Sequence, residues 1–132
     1  MSRVRGAGQG MKLVSVLKFA EIQEDGRTVR LTRDCKVLVN GHTITVKKDF
    51  CSDFASVPRI FWRVFPPWGK YSPAAIVHDW LYVTGGLTRK EADLCFLHGM
   101  KELGVPAFSR WSMYRAVRGF AWAIWGKYRD ND

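Results

Sequence analysis

One histidine of this chain stands among acidic and phenolic residues at helical spacing. His78 and Asp79 are adjacent, Tyr82 lies four residues after the histidine, and Asp93 lies further along the chain. Residues four apart share a face of a helix, so His78 and Tyr82 should point the same way, whereas Asp79 should lie about 100° around the helix. A histidine oriented by a carboxylate can take a proton from water. These four residues therefore form the candidate chemical centre.

The helix that carries His78 is predicted to follow Ser72. This serine is a suitable N-cap, and Pro73 can occupy the first helical position, where a missing N–H costs nothing. The segment AAIVHDWLYV then continues the helical pattern until Gly85-Gly86, a strong stop signal. The sequence thus predicts a first helix that ends shortly after the candidate centre.

A second helix is predicted to begin at a capping box formed by Thr88 and Glu91. The linker of residues 84–87 is short enough to make the two helices antiparallel neighbours. At 1.5 Å per residue, His78 and Asp93 should then stand roughly 7.5 and 6 Å from the turn, nearly level. We expect Asp93 to accept the Nδ1 proton of His78 and to leave Nε2 as the base. The alternative is a structural histidine that only hydrogen bonds to acidic neighbours.

The rest of the chain predicts strands before the helices. The segments LVSVLKF, TVRLT, KVLV and TITV are short and rich in β-branched residues, and Asn40-Gly41 indicates a type I′ hairpin, so three to five antiparallel strands are expected. Ser109 is a candidate cap for a third helix. We predict an α+β fold: a flexible basic arm at 1–10, then one domain over 11–132, with β structure at 11–50, a structured loop at 51–72 and helices at 73–130.

The predicted loop could place oxygen ligands and polar groups beside the histidine. Asp79 would be available for a hard cation, with Asp53 as a second ligand, and calcium suits such a site because carbonyls and waters complete its shell. A Ser56 nucleophile with His78 as base is an alternative, but it lacks a G-x-S-x-G turn. The residues assigned to the substrate or loop side of the cleft are Ser56, Gly69, Lys70 and Tyr71.

Composition limits the partners. The net charge of +9 and the pI near 9.8 favour acidic partners such as nucleic acid, lipid headgroups or an acidic protein. The three cysteines have no C-x-x-C spacing, so neither a disulfide framework nor a zinc site is expected. No signal peptide and no transmembrane helix are predicted. The third helix carries aromatic and basic residues suited to a bilayer or partner surface, with core packing as the alternative: Trp111, Tyr114, Arg118, Trp122 and Trp125.

The sequence His78-Asp79-Trp80-Leu81-Tyr82, followed by an aspartate on a second helix, resembles the H-D-x-x-Y motif of the calcium-dependent phospholipase A2 superfamily, particularly its cysteine-poor microbial members. This resemblance covers about residues 69–104. It implies that His78 is the general base for water, that Asp79 binds calcium, and that Tyr82 and Asp93 orient the histidine. The glycine-rich calcium loop of that superfamily is reduced to Gly69 here.

A longer stretch resembles an uncharacterised domain family common in tailed bacteriophages and prophages. The motifs are DFASVPR from Asp53, GKY from Gly69, HDWLY from His78 and EADLCF from Glu91, and they cover about residues 35–120. This resemblance implies a location in the host cytoplasm during phage production, with association with the virion as a further possibility.

Three functional hypotheses follow. The first is a hydrolase that uses water activated by His78, with an ester or phospholipid as substrate by resemblance. The second is a non-catalytic structural or assembly protein of a phage tail or head, with other phage structural proteins as partners. The third is a basic module that binds nucleic acid without sequence specificity. The Lys and Arg residues are scattered through the chain without a recognised RNA or DNA motif, which counts against this hypothesis.

Overall fold

The structure is a computed structural model that describes residues 11–54 and 70–128, with side chains described as far as Gly119. The arm predicted at residues 1–10 and most of the loop predicted at 51–72, including Ser56 and Gly69, lie outside the described residues.

Five short strands, all paired antiparallel, make up the β part of the described chain. A three-stranded sheet has the order β1-β2-β5, and β3 and β4 form a separate hairpin. The strands are β1 (Ala20–Ile22), β2 (Val29–Leu31), β3 (Cys35–Val39), β4 (His42–Val46) and β5 (Cys51–Ser52). The predicted β region therefore ends slightly too early, because Cys51–Ser52 pairs with β2 instead of beginning the loop.

The turn between β3 and β4 is the one that the sequence predicts. Asn40 has a φ of 50° and Gly41 a φ of 79°, and Val39 pairs with His42 across a two-residue loop. Positive φ at both central positions is the requirement of a type I′ turn, whose twist matches that of the flanking strands. The hairpin prediction at Asn40-Gly41 is confirmed.

The segment LVSVLKF, predicted to be a strand, forms a 3₁₀ helix over Leu13–Phe19, so this prediction is wrong. Its buried residues are Leu13 and Val16, which are three apart, whereas Val14 and Leu17 are exposed. A spacing of three matches the period of a 3₁₀ helix, in which such residues lie on one edge. The β-branched composition was therefore overridden by packing against the helices.

Three α-helices complete the fold: α1 (Ser72–Thr84), α2 (Arg89–Glu102) and α3 (Ala107–Tyr128). The capping box of α2 is confirmed, since the Thr88 side chain accepts from the backbone N–H of Glu91 and the Glu91 side chain accepts in return. Two predicted caps are wrong. Ser72 is already helical behind Tyr71, and Ser109 lies inside the first turn of α3, which starts right after Pro106.

Helix α1 lies in the middle of the core, and its first eight residues are all buried. It packs against α2, the 3₁₀ helix, β4 and β5. The contact with α2 is close at Gly99, where an added Cβ would lie 3.1 Å from the Ala74 Cβ. The α+β class with strands first and helices later is confirmed. None of the described helices is both long and apolar enough to cross a membrane.

Candidate functional site

A buried hydrogen bond joins α1 to α2 at the predicted centre. The Nε2 atom of His78 lies 2.7 Å from Oδ1 of Asp93, and both side chains are 0% exposed. The helices present these residues to each other because the linker between them spans only Gly85 to Thr88. The juxtaposition predicted from helix spacing is therefore observed.

The Asp93 carboxylate has two further donors. The Tyr82 hydroxyl donates to Oδ1, the oxygen that also faces His78, and Nη1 of Arg118 lies 2.9 Å from Oδ2. Burial raises the pKa of Asp93, but the hydrogen bonds from His78, Tyr82 and Arg118 outweigh it, so the pKa falls below its usual value. Asp93 is thus an ionised carboxylate on which three helices converge.

The imidazole nitrogen of His78 that faces Asp93 is not the one predicted from the sequence. We expected Nδ1 to face the carboxylate, and the structure places Nε2 there instead. An ionised carboxylate can only accept, so Nε2 carries the proton and donates it to Asp93. In the neutral ring Nδ1 is then the nitrogen with the lone pair. Any proton that His78 takes up must therefore go to Nδ1.

Aromatic rings pack closely around the imidazole. The ring of Phe96 stacks on His78 with centroids 4.8 Å apart, and the Tyr82 ring lies 4.3 Å away at a tilt of 48°. Burial, followed by the nearby charge of Asp93, raises the pKa of Tyr82 well above its usual value. The raised pKa keeps the Tyr82 hydroxyl protonated as the donor to Asp93.

Asp79 points to a different part of the fold. The Ser52 hydroxyl at the end of β5 donates to Oδ2 of Asp79 over 2.5 Å, and the backbone N–H of Phe54 donates to the same hydroxyl over 3.3 Å. Phe54 has a φ of 61°, an uncommon conformation for a bulky residue. Burial, and next the charge of Asp79, raise the pKa of Tyr71. Asp79 therefore ties α1 to the sheet.

The described residues do not supply a full calcium shell around Asp79. Calcium takes six to eight oxygen ligands, whereas Asp79 is 9% exposed and hydrogen bonded to Ser52. No group of three or more His, Cys, Asp or Glu residues that could hold a metal occurs in the described part of the chain. Asp53, the second predicted ligand, is exposed, as is Lys70 from the predicted loop.

The residues predicted to form a surface on α3 divide into two groups. Trp111 and Tyr114 meet edge to face, with ring centroids 5.7 Å apart, and Trp111 is exposed. Arg118, in contrast, is only 29% exposed and its guanidinium points to Asp93. The predicted surface role of Arg118 is therefore corrected to a contact in the site. The side chains of Trp122 and Trp125 lie outside the described residues.

Two contacts of the site were missed from the sequence. The first is Arg118 on Asp93, for which the available signal was an arginine within a helix that is otherwise largely apolar. The second is Ser52 on Asp79, which had no signal, because a serine at the end of a two-residue strand is indistinguishable from a turn serine before pairing is known.

Comparisons with known proteins give a family and a relative. A model of the family described as "Protein of unknown function (DUF1353)" matches residues 29–117. An "Uncharacterized protein y4jT" from Sinorhizobium fredii is 36% identical over 67 residues, which cover 49% of this chain and 20% of that protein. The chain thus spans about a fifth of the length of this relative. No solved structure matches the chain.

Proposed function

We propose that this chain, which belongs to the DUF1353 family of proteins of unknown function, is a hydrolase in which His78 activates water. The observation that carries the proposal is the shared oxygen of Asp93, which takes hydrogen bonds from both His78 and Tyr82. A carboxylate on the neighbouring helix thereby fixes both the tautomer and the orientation of the imidazole.

The protons of the proposed step balance within this arrangement. A water at Nδ1 of His78 gives its proton to that nitrogen as its oxygen attacks an ester carbonyl. The imidazolium that forms lies 2.7 Å from the Asp93 carboxylate, which stabilises its charge. When the tetrahedral intermediate collapses, Nδ1 returns the proton to the leaving alkoxide, and an acid and an alcohol are released.

The resemblance to the phospholipase A2 superfamily supplies the substrate class. The motif H-D-x-x-Y and the partner aspartate on the next helix support an ester of a phospholipid or a smaller ester as substrate. Asp79 is the residue that the resemblance assigns to calcium. The described residues lack a full ligand shell, so the proton transfer is assigned to His78 alone. Calcium dependence stays a prediction, which the comparison of rates in calcium and in EDTA checks.

The assay uses purified protein with a chromogenic short-chain ester and, separately, with phosphatidylglycerol vesicles, each in calcium and in EDTA. We expect measurable acid release, and we expect His78→Asn to lower the rate by at least a hundred-fold, the usual scale for loss of a general base. Tyr82→Phe should lower the rate less, because Asp93 still orients the ring.

The matched control is His98→Asn, since His98 is an exposed histidine of α2, the same helix that carries Asp93. This variant should keep the wild-type rate. Hydrolysis that is absent in the wild type on both substrates, or equal in His78→Asn and wild type, would contradict the proposal.

A second candidate is a non-catalytic structural or assembly protein of a tailed phage. The observation that favours it is the complete burial of His78 and Asp93, because a substrate has to reach a base, whereas a network that only stabilises the fold does not. The motif resemblance supports a phage or prophage setting. Detection of the chain in stoichiometric amounts in purified virions would favour this role, and its absence from them would count against it. The nucleic-acid hypothesis rests on the net charge of +9 alone.

A further inference from the structure

The first three turns of α3 carry an exposed face that the proposed hydrolase mechanism does not use. Phe108 is 84% exposed and Trp111, one turn later, is 48% exposed. Together with Ala107, Ser112 and Arg115 these side chains line an open groove along the helix. We call this set of five residues the outer face of α3.

The outer face of α3 combines apolar rings with positive charge. From residue 107 to 119 the helix contains three arginines and no carboxylate. Arg110 donates to the backbone carbonyl of Val105 and Arg118 donates to Asp93, whereas Arg115 is exposed. The hydroxyl of Ser112 donates to the carbonyl of Phe108 within the helix, so it leaves the groove largely apolar. The charge that the outer face presents to a partner is therefore that of Arg115.

We infer that the outer face of α3 binds the surface of an anionic lipid bilayer. In such a complex the ring of Phe108 enters the boundary of headgroups and acyl chains, the indole of Trp111 lies at headgroup level, and Arg115 contacts lipid phosphate or carboxylate. The protein's net charge of +9 attracts it to the same surface. The helix lies on the bilayer and does not cross it.

A second copy of the chain fits this face less well. An isologous contact places the same patch against itself, so both copies bring Arg115 to the interface, and residues 107–119 contain no carboxylate to neutralise either charge. An anionic bilayer has the complementary charge and also accepts the exposed rings. This inference does not depend on catalysis, because the outer face and the His78 site use different residues.

The test is cosedimentation of the full chain with vesicles of phosphatidylcholine alone and of phosphatidylcholine mixed with phosphatidylserine. We expect clear binding to the mixed vesicles and weaker binding to phosphatidylcholine. The double variant Phe108→Ser/Trp111→Ser should lower the affinity for mixed vesicles about ten-fold or more, because two rings no longer leave water. Arg115→Gln should lower it about five-fold, and added salt should reduce the effect of Arg115.

Two matched controls test whether the loss of any exposed hydrophobic side chain, or of any exposed cation, would have the same effect. Leu38→Ser removes an exposed hydrophobic side chain from β3, and Lys90→Gln removes an exposed cation from α2. Both should bind as the wild type does. The inference is overturned if the wild type does not bind anionic vesicles, or if the controls lose as much affinity as the α3 variants. It is also overturned if the wild type self-associates on gel filtration and the double variant loses this self-association but keeps its vesicle binding.

The His78→Asn protein is included so that the two proposals can fail separately. If the wild type hydrolyses the ester, and His78→Asn binds vesicles like the wild type but hydrolyses the ester at least a hundred-fold more slowly, both proposals are supported. If the wild type hydrolyses a soluble ester but does not bind vesicles, only the docking inference fails. Because Phe108 and Trp111 are exposed, the double variant should unfold at the wild-type temperature, which a thermal melt checks.

Discussion

His78 and Asp79 are neighbours in the chain but belong to two different parts of the molecule. His78 points to α2 and α3 and meets Asp93, which also has Tyr82 and Arg118 as donors. Asp79, turned about 100° around α1, points to the sheet and meets Ser52 of β5. Two consecutive residues of α1 therefore take part in different contacts: His78 contacts the neighbouring helix, and Asp79 contacts the sheet.

The two contacts differ in how they satisfy a buried carboxylate. Asp93 has donors on both oxygens, and two of them belong to groups that can carry positive charge. Among the described contacts of Asp79, the one with Ser52 is made by a neutral hydroxyl. Of these described contacts, the charge-assisted network at Asp93 is the stronger. We expect the first contact to hold the fold together and the second to make the smaller contribution.

The substitution with the largest expected effect on stability is Asp93→Ala. The substitution leaves Arg118 without its carboxylate and removes the acceptor of His78 and Tyr82. Loss of one partner of a buried ion pair costs about 3–5 kcal/mol of unfolding free energy, and urea titration followed by circular dichroism measures it. Glu102→Ala, at an exposed carboxylate near the end of the same helix, should change the value by less than about 0.5 kcal/mol. Equal losses in the two variants would show that Asp93 is not the main contact.

The second test removes the partner of Asp79. In Ser52→Ala the buried carboxylate loses the described donor, and the backbone N–H of Phe54 loses its acceptor. We expect a loss of about 1–3 kcal/mol in the same titration. Ser112→Ala is the control, because the described hydrogen bond of that hydroxyl is to a carbonyl of its own helix, so its loss should change stability little. If Ser52→Ala destabilises more than Asp93→Ala, the ranking of the two contacts is reversed.

The sequence allowed the contact between the helices to be predicted because local signals determine it. The capping box at Thr88 defines the start of α2, Gly85 marks the end of α1, and the short linker brings His78 to Asp93. These signals require no knowledge of the tertiary fold. They left the identity of the ring nitrogen open, because helix spacing places the ring but not its rotation about χ2.

The contact between Asp79 and Ser52 could not be predicted in the same way. It requires β5 to pair with β2, which lies more than twenty residues earlier, and a strand of two residues has no periodicity to reveal it. The same reason explains the error at Leu13–Phe19, whose burial pattern depends on the helices packed against it. Arg118 reaches Asp93 only because α3 packs on α2, so its spacing along α3 alone favoured a surface role.

The smallest expected effect is the dependence of stability on pH. The folded pKa of Asp93 lies below its unfolded value, so its contribution is present above the unfolded pKa of about 3.9 and is lost as the pH falls through the folded pKa. The effect should be modest because burial, the largest influence on this pKa, acts in the opposite direction. The unfolding free energy of the wild type should therefore decline as the pH is lowered below about 4.

Arg118→Met isolates the part of this decline that belongs to Asp93. The variant removes one of the hydrogen bonds that lower the pKa, so the folded pKa rises towards the unfolded value and the decline below pH 4 becomes shallower. Asp25, Asp34 and Glu91 also have lowered pKa values, but they are unchanged in both proteins and cancel in the difference. Arg115→Met, at an exposed arginine of the same helix, should retain the wild-type slope. Parallel pH profiles for all three proteins would place the acid-sensitive contacts outside the Asp93 cluster, and would remove the charge-based distinction between it and the Asp79 contact.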